Sequence, residues 1–451
     1  MTTSSQNRGA NPFVGYGHVV EGPRLVGREA EVRELHELLA ADVASIAIEG
    51  QNRVGKSSLL NEVLNRFSAR CPTVPVVHLA MSLFDGGDDF CCEAVEELQD
   101  QLQACDPDKR SLVPDVPPDA GRIVAGKILR RALRALVRKD GNFRVVLALD
   151  ELDFIRSWSD GGAILRLLRE LANNVPRYRL SLVLVSRHRL RVIEESMMGL
   201  SNLADMCEHM FVRPLEASQL DEMIQRLGGT VPLGEADINT IWSHTGGHPF
   251  LAEMLLFHAW ENQSVEAGVA RVLATTFEFY RHLRDLLDDD GSLEHLVNLT
   301  VGRREKIPQS RFVVLRAYGL VREVEEKGTR IWLGWSEHFQ GFLEMLWREE
   351  PGWEQWHATE QALRDFIERT LSHEEKHGPE WVEKVQKKYK NLAPLFERCQ
   401  AQADKEQRSF DLPVAGRLLD YTYPLELWHI ISTCWEDFRD VFTAGSDAHP
   451  R

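Results

Sequence analysis

Gly50-Gln51-Asn52-Arg53-Val54-Gly55-Lys56-Ser57 fits the spacing G-x-x-x-x-G-K-[ST] at every fixed position. The glycines of this pattern let the backbone curl so that its N–H groups point inward at phosphate oxygens. The apolar residues 44–49 before it predict a buried strand, and the residues from Ser58 onward predict a helix. We therefore expect a phosphate-binding loop, in which Lys56 adds positive charge at the outer phosphates and Ser57 holds a magnesium ion.

A second signal lies at the end of another apolar run, residues 144–149, which is followed by Asp150 and Glu151. A continuous apolar run is typical of a parallel strand buried on both faces. Ligands bind at the C-terminal ends of such strands. We expect Asp150 to hold magnesium, directly or through water, and Glu151 to polarise an attacking water.

Three further runs, residues 73–80, 180–186 and 209–213, also predict strands. Five strands joined by helical crossovers predict an α/β fold, a doubly wound sheet with the nucleotide at its C-terminal edge. Arg187 follows the fourth strand. It is expected either to sense the terminal phosphate, which we favour, or to be a solvated member of the basic run 187–189.

Composition limits the function. The chain has 451 residues, 43% hydrophobic residues and a formal net charge of −16, which argues against a protein that mainly coats nucleic acid or an anionic membrane. No apolar run approaches the ~18 residues that cross a bilayer, and the N-terminus has no signal-peptide core, so we expect a soluble cytoplasmic protein. The seven cysteines form no C-x-x-C pair and predict reduced thiols.

From residue 216 onward the pattern is helical. Pro249 begins a strongly apolar helix after Gly246-Gly247-His248, at a helix position where its missing N–H costs little. Residues 292–346 predict helices followed by a β-hairpin that turns at Lys327-Gly328, which is a winged-helix pattern. Residues 301–330 contain eight Arg or Lys against four Glu, which fits DNA contact or a solvated helix face, and we favour the solvated face.

In this order, residues 25–29, 53–57, 149–151, 185–187 and 246–249 resemble the STAND class of P-loop ATPases, the signal-transduction ATPases with numerous domains. The resemblance covers roughly residues 11–346 and implies a parallel sheet of order 5-1-4-3-2. It implies that Val26, Gly27 and Arg28 lie near the adenine, that Pro249 packs on the base, and that Arg187 reads the terminal phosphate. It also implies that the winged helix folds back on the nucleotide domain.

The C-terminal region more weakly resembles a HEPN-type helical bundle. It lacks the Arg and His separated by four residues that catalytic HEPN ribonucleases carry, which favours an interaction or sensing role. His373-Glu374-Glu375-Lys376-His377 matches the zinc-protease signature H-E-x-x-H. Charged residues fill this signature and Gly378-Pro379 ends the helix, so we interpret it as a solvated helix end. The aromatic stripe from Trp428 to Phe442 predicts a core seam or, less favoured, a partner-helix face.

These observations predict five segments: a lead-in (1–23), a P-loop ATPase domain (24–215), a helical lid (216–285), a winged-helix domain (286–346) and a C-terminal helical, HEPN-like domain (352–443). The predicted function is a slow ATP-dependent signalling switch with ATP and Mg²⁺ as ligands, and with a homo-oligomer in one nucleotide state or a protein partner. The alternatives are a DNA-binding ATPase that uses Arg311 and Arg316, and an RNA-cleaving effector that uses a histidine such as His429. The predicted nucleotide-binding residues, besides those three near the adenine and Pro249, are Gly50, Gln51, Asn52, Arg53, Val54, Gly55, Lys56, Ser57 and Ser58.

Overall fold

The computed structural model describes residues 10–117, 120–197, 202–225, 231, 233–301, 307–326, 329–349, 353–410, 417–422 and 424–442. The strands are β1 (Ser45–Gly50), β2 (Val76–Ala80), β3 (Val145–Asp150), β4 (Leu180–Ser186), β5 (Glu208–Val212), β6 (Val321–Glu326) and β7 (Thr329–Gly334). The helices of the first half are α1 (Glu29–Ala41), α2 (Lys56–Arg70), α3 (Gly87–Cys105), α4 (Pro107–Arg110), α5 (Arg122–Lys139), α6 (Gly161–Asn173), α7 (Val175–Tyr178), α8 (Leu190–Ser196) and α9 (Ala217–Gln225).

The later helices are α10 (Glu235–Thr245), α11 (Pro249–Asn262), α12 (Val265–Asp289), α13 (Leu293–Thr300), α14 (Gln309–Ala317), α15 (Glu337–Glu349), α16 (Trp353–Ser372), α17 (Trp381–Lys388), α18 (Ala393–Phe410), α19 (Pro424–Thr433) and α20 (Trp435–Phe442). Among the described residues, no helix is both long and apolar enough to cross a membrane.

The first five strands form one parallel sheet in the order β2-β3-β4-β1-β5. This confirms the predicted order 5-1-4-3-2, counted from the opposite edge. β3 and β4 are buried along their whole length, as their uninterrupted apolar sequences predict. Parallel strands put their C-terminal ends at one edge, so the phosphate loop after β1 and the acids after β3 lie on the same side of the sheet.

Helices cover both faces of the sheet, and each face has its own apolar layer. α1 and α2 pack on one face, where Val32, Leu35 and Leu39 are buried at the helical spacing that the sequence predicts. α3, α5 and α6 pack on the other face. This two-layer burial fixes β1, β3 and β4 in the centre of the sheet and holds their polar ends at its edge.

The chain divides into two compact units. The first comprises the described parts of Met1–Arg304 and Val313–Leu343, and the second those of Glu305–Phe312 and Glu344–Arg451. The first unit contains the sheet, α9 to α12, and the antiparallel pair β6–β7, in which Val321 faces Gly334. The turn predicted at Lys327-Gly328 lies outside the described residues, and the assignment of this region as a winged helix stays a prediction.

The second unit has its own core, to which α16, α17, α18, α19 and α20 contribute. The aromatic stripe is divided, because the helix breaks at Cys434, between α19 and α20. Ile431 and Phe438 are buried there, whereas Trp428 is 43% exposed. The H-E-x-x-H segment forms a turn instead of a helix end, and His377 is buried against Asp437 with Nε2 3.0 Å from Oδ2. Its two histidines therefore do not share a helix face.

Candidate nucleotide-binding site

The phosphate loop connects β1 directly to α2. Another residue could replace Gly50 only if the neighbouring backbone moved, because a Cβ there would lie 2.6 Å from the carbonyl oxygen of Val212. Gly55 has φ of 100° and caps α2, and a Cβ there would meet no atom within 4 Å. The loop thus keeps a left-handed residue and open space at the N-terminus of α2, where backbone N–H groups favour an anion.

Lys56 is the charge at the centre of this loop. Its Nζ donates to the carbonyl oxygens of Gly50, at 3.0 Å, and Gln51, at 2.7 Å. Burial lowers the pKa of Lys56 to about 8, while the carboxylates of Asp153 and Asp150 act to raise it. An ammonium that burial destabilises gains from an added anionic partner, which is the electrostatic requirement of a phosphate site.

The acidic side of the site is the end of β3. Asp150 is 8% exposed, and its Oδ1 accepts a hydrogen bond from the backbone N–H of Glu151 at 2.8 Å. Glu151 is exposed and has φ of 55°, so the chain turns sharply at this position. Asp150, Glu151 and Arg187 all influence the pKa of Lys56, so the fold brings these four predicted residues around one centre.

Asp153 belongs to the same centre and was not predicted. It accepts hydrogen bonds from the backbone N–H groups of Arg187, at 2.7 Å, and His188, at 2.9 Å. Its Oδ1 also lies 2.5 Å from Nδ1 of His188. Burial acts to raise the pKa of Asp153, but these hydrogen bonds outweigh it and lower the pKa to about 2. The only sequence signal was a third acid, three residues after Asp150.

Asp153 fixes the backbone that carries Arg187. The Arg187 side chain is 44% exposed, with Nε 3.6 Å from Oδ2 of Asp153. On its other side, Nε2 of His188 lies 2.9 Å from Oδ2 of Asp289, at the end of α12, and Arg156 contacts the same oxygen at 2.6 Å. A chain of hydrogen bonds therefore links the tip of β4 to the long helix α12.

Arg28 lies behind the loop. It is 3% exposed and donates to the carbonyl oxygens of Val54, at 3.0 Å, and Arg213, at 2.6 Å. Burial lowers the pKa of Arg28, and Glu31 acts in the opposite direction. The guanidinium thus holds the loop to the segment after β5. Its predicted place near the adenine stays a prediction.

Val26 and Gly27 are buried beside Arg28. Gly27 has φ of 68°, and its carbonyl oxygen accepts a hydrogen bond from Nε2 of Gln219 in α9 at 2.9 Å. Ser57 and Ser58 lie in the first turn of α2, and the Ser58 hydroxyl accepts a hydrogen bond from the N–H of Val20 at 3.0 Å. Val20, in the described part of the predicted lead-in, therefore lies against the start of α2.

The helices after the sheet reach the loop through His248 and Phe250. His248 is fully buried, and its Nε2 donates to the carbonyl oxygen of Asn52 at 3.2 Å. The Arg53 guanidinium lies 4.4 Å from the ring centroid of Phe250. Pro249, between these residues, begins α11 and is half-buried. The predicted lid residue Pro249 is thus next to two residues that contact the loop.

A third element meets the loop at Gln51. The Gln51 Nε2 donates to the carbonyl oxygen of Tyr318 at 2.8 Å, and the Tyr318 hydroxyl donates to the carbonyl oxygen of Arg187 at 2.9 Å. Both Gln51 and Tyr318 are buried. Tyr318 thus bonds two segments that the sequence assigns to phosphate binding, and the sequence analysis did not identify this residue as functional.

A family model described as an AAA ATPase domain matches residues 24–185, which include the phosphate loop, Lys56 and the acids after β3. This part of the chain is a P-loop ATPase domain. Comparison with the curated proteins finds no match.

Several solved structures are similar to this chain. The Walker-type ATPase PABY2304 of Pyrococcus abyssi has 18% sequence identity, covers 71% of this chain and 96% of its own, and has a TM-score of 0.46. The ORC2 protein of Aeropyrum pernix in its ADP form has 16% identity, with 73% and 96% covered and a TM-score of 0.45. The ORC1 protein of Aeropyrum pernix, solved in complex with DNA, has 18% identity, with 75% and 95% covered and a TM-score of 0.40.

The sites of the alternative functions are less completely described. Arg303, Arg304, Lys306 and Lys327 of the basic region lie outside the described residues. The Arg316 guanidinium lies 5.6 Å from the centroid of the Trp332 ring. His429 is exposed on α19. Among the described residues, no group of three or more His, Cys, Asp or Glu could hold a metal ion, the H-E-x-x-H segment included.

Proposed function

We propose that this protein is an ATP-dependent conformational switch of the STAND type. The observation that carries the proposal is the pair of hydrogen bonds made by Tyr318, one from Gln51 in the phosphate loop and one to Arg187 at the tip of β4. Any change at the phosphates that moves either segment also acts on Tyr318. The ATPase domain supplies the chemistry, and Tyr318 supplies the connection to the β6–β7 region.

The residues of the site suit ATP with magnesium. Ser57 and Asp150 offer a hydroxyl and a buried carboxylate, the hard oxygen ligands that Mg²⁺ prefers. Magnesium bound there would neutralise phosphate charge. Lys56 would hold the outer phosphates, Glu151 would orient the attacking water, and Arg187 would contact the terminal phosphate.

The switch would work by competition for Lys56. Its ammonium bonds the loop carbonyls of Gly50 and Gln51, and a phosphate in the loop would draw it away from them. Gln51 then carries that change to Tyr318. On the other side, Asp153 and His188 carry a change at Arg187 to Asp289 and α12. A ligand shifts such an equilibrium only through its different affinity for the two states, and here the terminal phosphate makes the difference.

In this proposal, residues 216–285 act as the lid, residues 286–346 as the winged helix that holds the closed state, and residues 352–443 as an interaction or effector module. Val26, Gly27 and Pro249 are assigned to the adenine. One nucleotide state favours self-association or a protein partner. Slow hydrolysis returns the switch to its starting state.

The test measures ATP binding, ATP turnover and hydrogen exchange of β6 and β7 for the wild type, Lys56→Ala and Tyr318→Phe. Lys56→Ala should lose binding and turnover. Tyr318→Phe should bind ATP, but the difference in hydrogen exchange between its ATP and ADP forms should be smaller than in the wild type. Tyr178→Phe is the matched control, because its buried ring loses a hydroxyl bonded to Glu170, on α6. If the wild type, Tyr318→Phe and Tyr178→Phe show equal differences in hydrogen exchange between their ATP and ADP forms, the proposed coupling is refuted.

A further inference from the structure

All charged residues of α3 are acidic, and all charged residues of α5 are basic. α3 contains six acidic residues and no Lys or Arg, whereas α5 contains seven Lys or Arg and no acidic residue. We define the acidic stripe as Asp89, Glu93, Glu96 and Asp100, and the basic stripe as Lys127, Arg131, Arg134 and Arg138. Both stripes follow the same spacing of four, three and four residues, which places each on one face of its helix.

Both stripes lie on the outer surface of the ATPase domain. Their residues are exposed, except that Arg134 is half-buried. On α3 the opposite face is buried at Phe90, Ala94 and Leu98, and on α5 it is buried at Leu129 and Leu136. The stripes therefore point away from the sheet and toward solvent.

The two helices run side by side in the same direction. At their N-terminal ends, the N–H of Arg122 donates to Oδ1 of Asp88 at 2.5 Å. At their C-terminal ends, Nζ of Lys109 joins Asp106, at 2.8 Å, to Asp140, at 2.9 Å. Residue 88 is thus level with residue 122, and residue 106 with residue 140. By this offset Glu93 is level with Lys127, and Asp100 with Arg134.

The residues that the structure describes do not neutralise the stripes. No ion pair between described residues joins α3 to α5, and none involves the exposed residues Lys127, Arg131 and Arg138. The three other cations of α5 for which contacts are described use them elsewhere: Arg122 with Asp160, Arg130 with Glu170, and Arg134 with the Tyr178 ring. Apart from Arg134, the two parallel rows of opposite charge therefore make no ion pair or ring contact within the described part of the chain.

We propose that this surface binds a second copy of the same chain. Turning one copy by 180° about a line that runs between the stripes and parallel to them places each acidic stripe opposite the partner's basic stripe. This rotation leaves the position of each residue along the helix axis unchanged, so Glu93 of each copy meets Lys127 of the other. A rotation about a line across the helices would place acid against acid. The charge pattern thus selects one closed, two-fold arrangement.

The size of the surface predicts a weak dimer. Helices of this length extend about 27 Å and neighbouring axes lie about 10 Å apart, so each copy contributes roughly 500 Å². Stable complexes bury about 800 Å² on each partner. Ile123 and Val124, which are 63% and 44% exposed in the first turn of α5, add apolar area at one end. We therefore expect reversible association that salt weakens.

The inference does not rest on the proposed switch, because it uses no residue of the phosphate site. The experiment is sedimentation equilibrium of the full chain at about 100 μM protein, in low and high salt. One variant carries Lys127→Glu, Arg131→Glu and Arg138→Glu, and a second carries Asp89→Lys, Glu93→Lys and Glu96→Lys. Each alone should associate at least tenfold more weakly than the wild type. An equimolar mixture should restore association, because one variant presents two acidic rows and the other two basic rows.

The control changes Arg33, Arg66 and Arg70 to Glu, the same charge change on α1 and α2, which cover the opposite face of the sheet. It should associate like the wild type. A wild type that stays monomeric in low salt would overturn the proposal, and so would a mixture that fails to associate while both variants keep native circular dichroism. If the wild type instead binds a single-stranded oligonucleotide through the basic stripe without self-association, the surface serves nucleic acid and the proposal is wrong. ATP turnover of every variant is measured in parallel and should equal that of the wild type, so a failed dimer leaves the switch unaffected.

Discussion

His248 should make the first unit sensitive to mild acid. Its ring is fully buried, packs against Phe279 with centroids 4.8 Å apart, and donates from Nε2 to the carbonyl oxygen of Asn52. Its Nδ1 is buried with no partner among the described residues. Burial, with a smaller contribution from the positive charges of Arg28 and Lys56, lowers the pKa of His248 to about 3, although the hydrogen bond to the carbonyl oxygen of Asn52 acts to raise it.

The sign follows from proton binding. Below pH 6.5 the unfolded chain binds a proton at His248, whereas the folded chain does not. The free energy of unfolding therefore falls as pH falls from 6.5 toward 3. Each pH unit in that window costs about 1.4 kcal/mol, so the cost at pH 5 is about 2 kcal/mol. Above pH 7 both states are neutral and the cost vanishes.

The assay is urea unfolding followed by tryptophan fluorescence at pH 7.5 and pH 5.0, since Trp335 lies 6.4 Å from the His248 ring. His248→Asn should be less stable than the wild type at pH 7.5, because it loses the ring contacts. Its free energy of unfolding should then fall by about 2 kcal/mol less than that of the wild type on going to pH 5. The matched control is His18→Asn, an exposed histidine that should leave the pH difference unchanged. An equal fall in wild type and His248→Asn would refute the reasoning.

Three further changes test other contacts. Gly247→Ala should destabilise the first unit by about 3 kcal/mol or more in urea unfolding, because φ is 78° and a Cβ would lie 2.0 Å from the carbonyl oxygen of Leu215. The control Gly341→Ala, where a Cβ would lie in open space on α15, should not destabilise it. Asp153→Asn should lower ATP turnover at least tenfold in a steady-state assay, because it weakens the hydrogen bonds that fix Arg187, while Asp289→Asn, at the far side of His188, should cost less. Arg28→Ala should lower the melting temperature and raise the KM for ATP, because the carbonyl oxygens of Val54 and Arg213 lose their buried donor. A KM equal to that of the wild type would contradict the idea that Arg28 holds the phosphate loop in place.

Local patterns were sufficient to predict the strands of the sheet and the candidate residues at the centre of the site. The phosphate loop is specified by glycines and a lysine within eight consecutive residues, and the acids by their place after a buried strand. The structure brings Lys56, Asp150, Glu151 and Arg187 together because parallel strands end at one edge. The sheet order needed the resemblance as well, since apolar periodicity predicts strands and not their neighbours.

What the sequence did not predict depends on pairs far apart in the chain. Gln51 and Tyr318 are 267 residues apart, and no sequence motif around either residue indicates that the two are in contact. Arg28 lies in a motif, yet its guanidinium points into the protein toward two carbonyls, a direction that no spacing encodes. The H-E-x-x-H match shows the opposite case, in which the spacing is present but the backbone turns and leaves His377 buried against Asp437.

The charge of α3 and α5 shows how averaging hides a signal. A net charge of −16 over the chain argues against a protein that mainly coats nucleic acid, but it does not reveal a local basic patch such as the seven Lys or Arg of α5. The signal becomes visible only when charge is counted by helix face, and its meaning only when α3 is known to lie beside α5 in the same direction. A single basic stripe would suit any polyanion. Because an acidic stripe of the same spacing lies beside it at matching levels, the surface is complementary to itself, and a second copy of the chain satisfies both stripes at once.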